Sequence, residues 1–165
     1  DAYFKQSNAP VSSLQQLIEA NKATAELSLH LFDQALLLSS QQTNGLQEET
    51  YLKARQDSER FAATLGIDAL LKENNLDLLI APTESPAWKI DQINGDHYLG
   101  GASSAPAIAG YPHITVPMGF VGHLPVGMSF FSTANAEPVL VEAGFAYEQA
   151  SQARRSPPIT RQGEP

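Results

Sequence analysis

Residues Leu76 to Ala81 read Leu-Asp-Leu-Leu-Ile-Ala, an apolar run that carries one acid, Asp77. No polar face alternates along it, so neither side of a strand formed here is built for water. Such a run fits a strand covered on both sides, in a sheet flanked by helices. The stretch before it, Gln47 to Glu73, is the most strongly helical in the chain. Glu48 and Glu49 stand in its first turn, where the helix dipole favours acid. Glu49 and Lys53 form an i,i+4 pair of the favourable order. Tyr51, Ala54, Phe61, Leu65 and Ala69 follow one face, with Ala62 and Leu70 beside it. Such a helix would run about 40 Å at 1.5 Å per residue. Gly66 offers a bend, and Asn74-Asn75 can close it, because Asn tolerates the left-handed conformation past a helix end. A helix, a tight turn and a buried strand make an α/β unit.

The remaining elements follow from local signals. Residues 1–10 read as a lead-in ended by Pro10. Ser12 and Ser13, with Gln15 and Gln16 three residues on, fit a capping box, and Leu14, Leu17, Ile18 and Asn21 mark one face of a short helix. Residues 24–42 mix strand-like alternation with helical spacing, and their Ala, Leu and Gln favour helix. Ser103 to Ala109 fits a short helix with Pro106 in its first turn. Ile114-Thr115-Val116 reads as a strand that Pro117 makes short, bulged or peripheral, since proline cannot donate to a sheet ladder. Gly122-His123 is a turn and Val126 to Phe131 the partner strand. Glu137-Pro138 opens a last helix with Leu140, Ala143, Gly144, Tyr147 and Ala150 on one face. Residues 1–153 are thus expected as one α/β unit, and 154–165 as a loose tail.

The loop from Pro82 to Ala109 holds most of the candidate chemistry, because a loop this long in a compact unit is usually functional. Gly100-Gly101-Ala102-Ser103-Ser104 is not a phosphate-binding loop, since no Gly-Lys-Ser/Thr follows. It is not a nucleophile elbow either, lacking the second glycine of G-x-S-x-G. Asp96, His97 and Ser103 are the ingredients of a triad. However, neighbouring residues of an extended chain face opposite sides, whereas the acid must orient the imidazole that reaches the serine. Trp88, Tyr98 and Tyr111 either line a pocket or plug the loop onto the sheet. Thr83, Asp91, Asn94 and Asp96 are polar pocket or loop-capping groups, with an Asx turn favoured before Gly95. His30, His113 and His123 lack metal-ligand spacing.

Composition narrows the partners. Ten basic against eighteen acidic residues give a net charge of −8, which disfavours nucleic acid and anionic membrane surfaces. The plain reading is an acidic surface of the kind soluble cytoplasmic proteins carry, although the sequence does not fix a compartment. With no cysteine, disulfides, thiolate metal sites and cysteine nucleophiles are excluded. No run approaches the roughly 18 apolar residues of a membrane span. No cofactor motif is present.

Four motifs come in one order: Asp-Leu-Leu-Ile-Ala-Pro-Thr (Asp77–Thr83), Asn-Gly-Asp-His (Asn94–His97), Gly-Tyr-Pro-His-Ile-Thr-Val-Pro-Met-Gly (Gly110–Gly119) and Leu-Pro-Val-Gly-Met-Ser-Phe (Leu124–Phe130). In this the chain resembles the C-terminal portion of the amidase signature hydrolases, over about residues 10 to 156. The resemblance implies helices flanking a small mixed sheet, the C-terminal part of an α/β/α fold. It implies hydrolysis of a small amide through a serine acyl-enzyme, with a second serine and a lysine base. That family's glycine- and serine-rich signature precedes the Asp77–Thr83 type of strand, whereas the loop at Gly100 follows it. Ser103 and Ser104 are therefore not assigned as nucleophile, and Lys5, Lys22, Lys53, Lys72 and Lys89 match no motif. The expectations are a parent enzyme whose catalytic residues lie upstream, a chain inactive alone, and a substrate wall from Thr83 to Ser104. Its substrate-binding residues would be Thr83, Trp88, Asp91, Asn94, Tyr98, Ser103 and Ser104. Self-association through an exposed sheet edge is a further expectation. The alternatives are a self-contained hydrolase using His97 with Ser103 or Ser104, and a noncatalytic α/β binding or assembly module.

Overall fold

A computed structural model of the chain describes residues 2–157. It divides into two compact units, Asp1–Leu52 and Lys53–Pro165.

The first unit holds α1 (Ala2–Gln6), α2 (Leu14–Ala23), α3 (Ala25–Ser28) and α4 (Ala35–Gln41). The expected lead-in thus forms one helical turn. The N-cap of α2 is Ser13, whose Oγ accepts from the Gln16 amide at 3.2 Å, while Gln16 Oε1 accepts from the amide of Ser12, one residue before the cap, at 2.7 Å. The helix expected over 24–42 is broken between Ser28 and Ala35. Gln34 lies in the break, buried, donating to the Ile18 carbonyl at 3.2 Å and accepting from Asn21 Nδ2 at 3.1 Å. Its buried carboxamide has a partner for both donor and acceptor on α2, as a buried polar group requires.

In the chain order α5 (Glu49–Ala62) leads directly into a π turn (Ala63–Ile67) and α6 (Asp68–Asn74). Gly66 marks the irregularity, as a Cβ there would lie 2.5 Å from the Phe61 carbonyl oxygen. Asn75 closes α6 in the left-handed conformation, φ 51°. The buried stripe is Ala63, Ile67 and Leu71, whereas Phe61 and Leu65, expected on the buried face, are 60% and 50% exposed. Lys53 pairs with Asp57 at 3.2 Å rather than with Glu49. Both partners are exposed, and such pairs contribute little.

The sheet has three strands, β1 (Leu79–Pro82), β2 (His113–Val121) and β3 (Leu124–Phe131), in the order β1-β3-β2 and antiparallel throughout. The α/β class is as expected, with α8 (Glu137–Ser151) against this small sheet and α7 (Ser104–Ala109) against the π turn. Pairing aligns Leu79 and His113 with Phe131, Ile80 and Ile114 with Phe130, and Ala81 and Thr115 with Ser129. Residues paired this way point to one face. One face therefore carries Ile80, Ile114, Val116 and Phe130, and the other His113, Thr115, Ser129 and Phe131. Helix α8 lies on the first: Phe130 meets Tyr147 edge-on at 5.7 Å, and a Cβ on Gly144 would come 2.7 Å from Ile114 Cδ1. Leu140 is fully enclosed there. The double cover expected for the first strand is not supplied by this chain, because Ile80 is 59% exposed. Strand β2, one of the two outer strands, runs through Pro117, with a register shift between Pro117 and Gly119.

Candidate functional site

The end of β1 builds the site. The Thr83 amide donates to the Gly127 carbonyl at 2.8 Å, keeping the chain on β3. On its other side, residues 100–102 return alongside Thr83 to Ser85. The Ala102 amide donates to the Thr83 carbonyl at 3.0 Å and the Ser85 amide to the Gly100 carbonyl at 3.2 Å. Gly101 permits this approach, because a Cβ would fall 2.9 Å from the Thr83 carbonyl oxygen and 3.3 Å from the Glu84 carboxyl. Two clefts meet along Glu84 and Ser85. One, of about 370 Å³, has Thr83, Thr115, Pro117 and Gly127 in its wall. The other, of about 450 Å³, is walled by Pro86, Leu99, Met118 and Val121. Both volumes fall within the roughly 300–1,000 Å³ of small-molecule sites. Among the described residues Glu84 is the one charged side chain lining either cleft.

Behind the first cleft runs a chain of polar groups on the sheet face opposite α8. His113 Nε2 meets Ser129 Oγ at 2.6 Å, Ser129 Oγ donates to Thr83 Oγ1 at 2.9 Å, and Thr83 Oγ1 is bonded to Thr115 Oγ1. Ser129 has a single hydrogen and gives it to Thr83, so His113 must be the donor to Ser129, in the Nε2–H tautomer. Four donor hydrogens then serve three contacts, and the spare O–H lies on Thr83 or Thr115, both in the cleft wall. Burial lowers the His113 pKa, which favours the neutral ring this arrangement uses. The pair is not a nucleophile and its base. A nucleophilic serine donates to histidine, whereas Ser129 donates away from it and is fully buried. Ser85 Oγ is buried without a partner among the described residues.

The loop beyond is ordered by its own polar groups. Asp91 Oδ1 accepts from the amides of Ile93 and Asn94 at 2.9 Å each, and Oδ2 accepts from Asn94 Nδ2 at 2.9 Å. The Asn94 bonds, with that of Ile93, hold the Asp91 pKa below its ordinary value. Trp88 Nε1 donates to Asp96 Oδ1 at 3.2 Å, and the Trp88 and Tyr98 ring centroids are 5.9 Å apart. The Glu84 charge raises the Tyr98 pKa.

The seven residues expected at a substrate site thus separate into four groups. Thr83 lines the first cleft, and Trp88 and Tyr98 form a ring pair in the wall of neither, with the Tyr98 hydroxyl beside Glu84. Asp91 and Asn94 serve each other in a turn. Ser103 and Ser104 stand at the start of α7, in the wall of neither cleft. No hydrogen bond joins His97 to Ser103 or Ser104. Tyr111 is fixed to α6, its hydroxyl donating to Asp68 Oδ2 at 2.7 Å. Glu84, Ser85, Thr115, Gly127 and Ser129 were not legible as site residues, since their meeting depends on strand register and on the return of residues 100–102. Among the described residues no helix is long and apolar enough to cross a membrane, and no group of three or more metal-ligating side chains is assembled.

No protein-family model matches the chain. An Arabidopsis thaliana protein named as a probable amidase is 33% identical over 162 residues, which are 95% of this chain and 28% of that protein. A solved structure of a peptide amidase, in complex with the competitive inhibitor chymostatin, superposes with a TM-score of 0.91 at 46% identity, covering 96% of this chain and 32% of that one. Native peptide amidase from Stenotrophomonas maltophilia gives a TM-score of 0.87 at 45% identity, over 94% of this chain and 31% of that one. The chain therefore spans under a third of the length of these relatives. With the ordered motifs and the antiparallel sheet, these likenesses settle the family: the chain belongs to the amidase signature hydrolases, of whose fold it makes the C-terminal portion.

Proposed function

We propose that the whole polypeptide containing this chain hydrolyses the carbon–nitrogen bond of a small amide through a serine acyl-enzyme. This chain supplies substrate wall between Thr83 and Ser104. The nucleophilic serine, the second serine and the lysine base come from outside residues 1–165, so the chain alone is inactive. In that chemistry a serine oxygen attacks the carbonyl carbon, the amine departs with a proton, and water releases the acyl group. The observation that carries the reading is a pair of clefts meeting at Glu84 and Ser85 in which, among the described residues, no lining hydroxyl is bonded to a histidine or lysine base. The one serine–histidine contact among the described residues, His113 with Ser129, is sealed and runs in the wrong direction for attack. Nothing in the comparisons supports the noncatalytic module.

The reading also extends to assembly. Strand β1 has β3 as its one strand neighbour, and Ile80, Ile108, Val141 and Phe145 are each more than half exposed. Apolar area on this scale calls for cover, supplied in the whole polypeptide by its remaining part. The isolated chain covers it by self-association.

The test is ammonia release from a small peptide amide, by the whole polypeptide and by residues 1–165 alone at equal concentration. The reading expects release from the whole polypeptide and none above background from the isolated chain. Equal release by both would defeat it.

A further inference from the structure

We infer that Glu84, with the Tyr98 hydroxyl beside it, selects a cationic group on the ligand, so that the paired clefts prefer a guanidinium or ammonium attached to a short apolar chain. The inference rests on the clefts being the substrate wall proposed above, and it names the ligand class they take. Three observations carry it. Glu84 is the one charge lining either cleft among the described residues, in walls that are otherwise prolines, aliphatic side chains, glycines and hydroxyls. A single carboxylate in such a wall makes the local potential negative, and its complement is a cation.

The carboxylate is also held in place, by the Tyr98 hydroxyl, and among the described residues it has no cationic partner. Its Oε1 rests where a Cβ on Gly101 would be 3.3 Å away, so the missing side chain at Gly101 is what admits it. The described ion pairs are Lys22–Glu19 and Lys53–Asp57, and Glu84 belongs to neither. The residue that fixes the carboxylate is itself fixed. Tyr98 is close enough for the Glu84 charge to act on its hydroxyl. Trp88 lies 5.9 Å from the Tyr98 ring, its indole N–H held by Asp96. A carboxylate fixed in this way binds guanidinium and ammonium groups by charge and by charge-assisted hydrogen bonds. The second cleft, walled by Leu99, Met118 and Val121, takes the apolar stem.

The test measures binding of n-butylguanidinium chloride and of its neutral counterpart n-butylurea to the whole polypeptide, by isothermal titration calorimetry. The wild type is expected to bind the guanidinium about tenfold more tightly, the scale of one charge-assisted hydrogen bond, and Glu84→Gln to bind both alike. The preference should also shrink between low and high salt in the wild type, since a partly exposed ion pair is screened. This arm needs no variant, so it holds even if the substitution disturbs folding. No preference in the wild type, or one that survives in Glu84→Gln, overturns the inference. An equal loss for both ligands in a folded Glu84→Gln overturns it as well, by assigning the carboxylate an internal partner elsewhere in the polypeptide. Because binding is read without turnover, the outcome is independent of whether amide hydrolysis is observed.

Discussion

A Cβ on Gly127 would lie 2.6 Å from Thr115 Oγ1 and 2.7 Å from Thr83 Oγ1. Both atoms belong to short side chains that are bonded to each other and have little room to retreat. Gly127→Ala is therefore expected to break the hydroxyl chain and to destabilise the whole polypeptide by about 1–3 kcal/mol, as overpacking does. Gly144→Ala is the internal comparison. Its new methyl would meet Ile114 Cδ1 at 2.7 Å, the far end of a flexible side chain. The alanine also gains helix propensity worth up to about 1 kcal/mol, so the net change should be under about 1 kcal/mol. Thermal unfolding of the two variants separates these outcomes, and equal losses would contradict the argument. Neither contact was legible in the sequence. A two-residue turn at Gly122-His123 with strict pairing would set Thr115 opposite Phe130. The shift between Pro117 and Gly119 sets it opposite Ser129 instead, and a one-residue slip changes which side chains share a face. Pro117 announced an irregularity there, but not its direction.

Elements were more legible than their joins. The α2 cap, the Asn75 closure, the α7 and α8 starts and the Gly122-His123 hairpin each rest on a local signal, and each is found. The failures are places where tertiary packing outweighed local pattern. Buried Gln34 interrupts the helix expected across residues 24–42, and Ala63, Ile67 and Leu71 form the buried stripe in place of Phe61 and Leu65. The π turn bears on this, since its extra residue changes the phase of the helix at Ala63–Ile67. Gly66 is required there: a methyl 2.5 Å from a backbone carbonyl oxygen cannot be relieved by a rotamer change. Gly66→Ala should therefore cost stability, about 1–3 kcal/mol, where an ordinary helical glycine would gain from alanine. Chemical denaturation of the whole polypeptide decides the sign, and a stabilised variant would show that the π turn is dispensable.

At the scale of the whole molecule, the chain reads as part of a larger body. Its sheet has three strands, and Phe61, Ile80, Val141 and Phe145 are all about 60% exposed. Static light scattering of residues 1–165 should give a mass that rises with concentration, and a monomer throughout would mean the exposed face needs no cover. That Leu76 to Ala81 has no polar face was plain in the sequence, while the cover it calls for is not supplied by the described residues. The same division explains why the motifs identified a family while the nucleophile was not to be found among them. The most direct test of that division is to label the active whole polypeptide with a fluorophosphonate, which reacts with an activated serine, and to map the adduct by mass spectrometry. The account predicts one modified serine, outside residues 1–165. An adduct on Ser103, Ser104 or any other serine of this chain would contradict it.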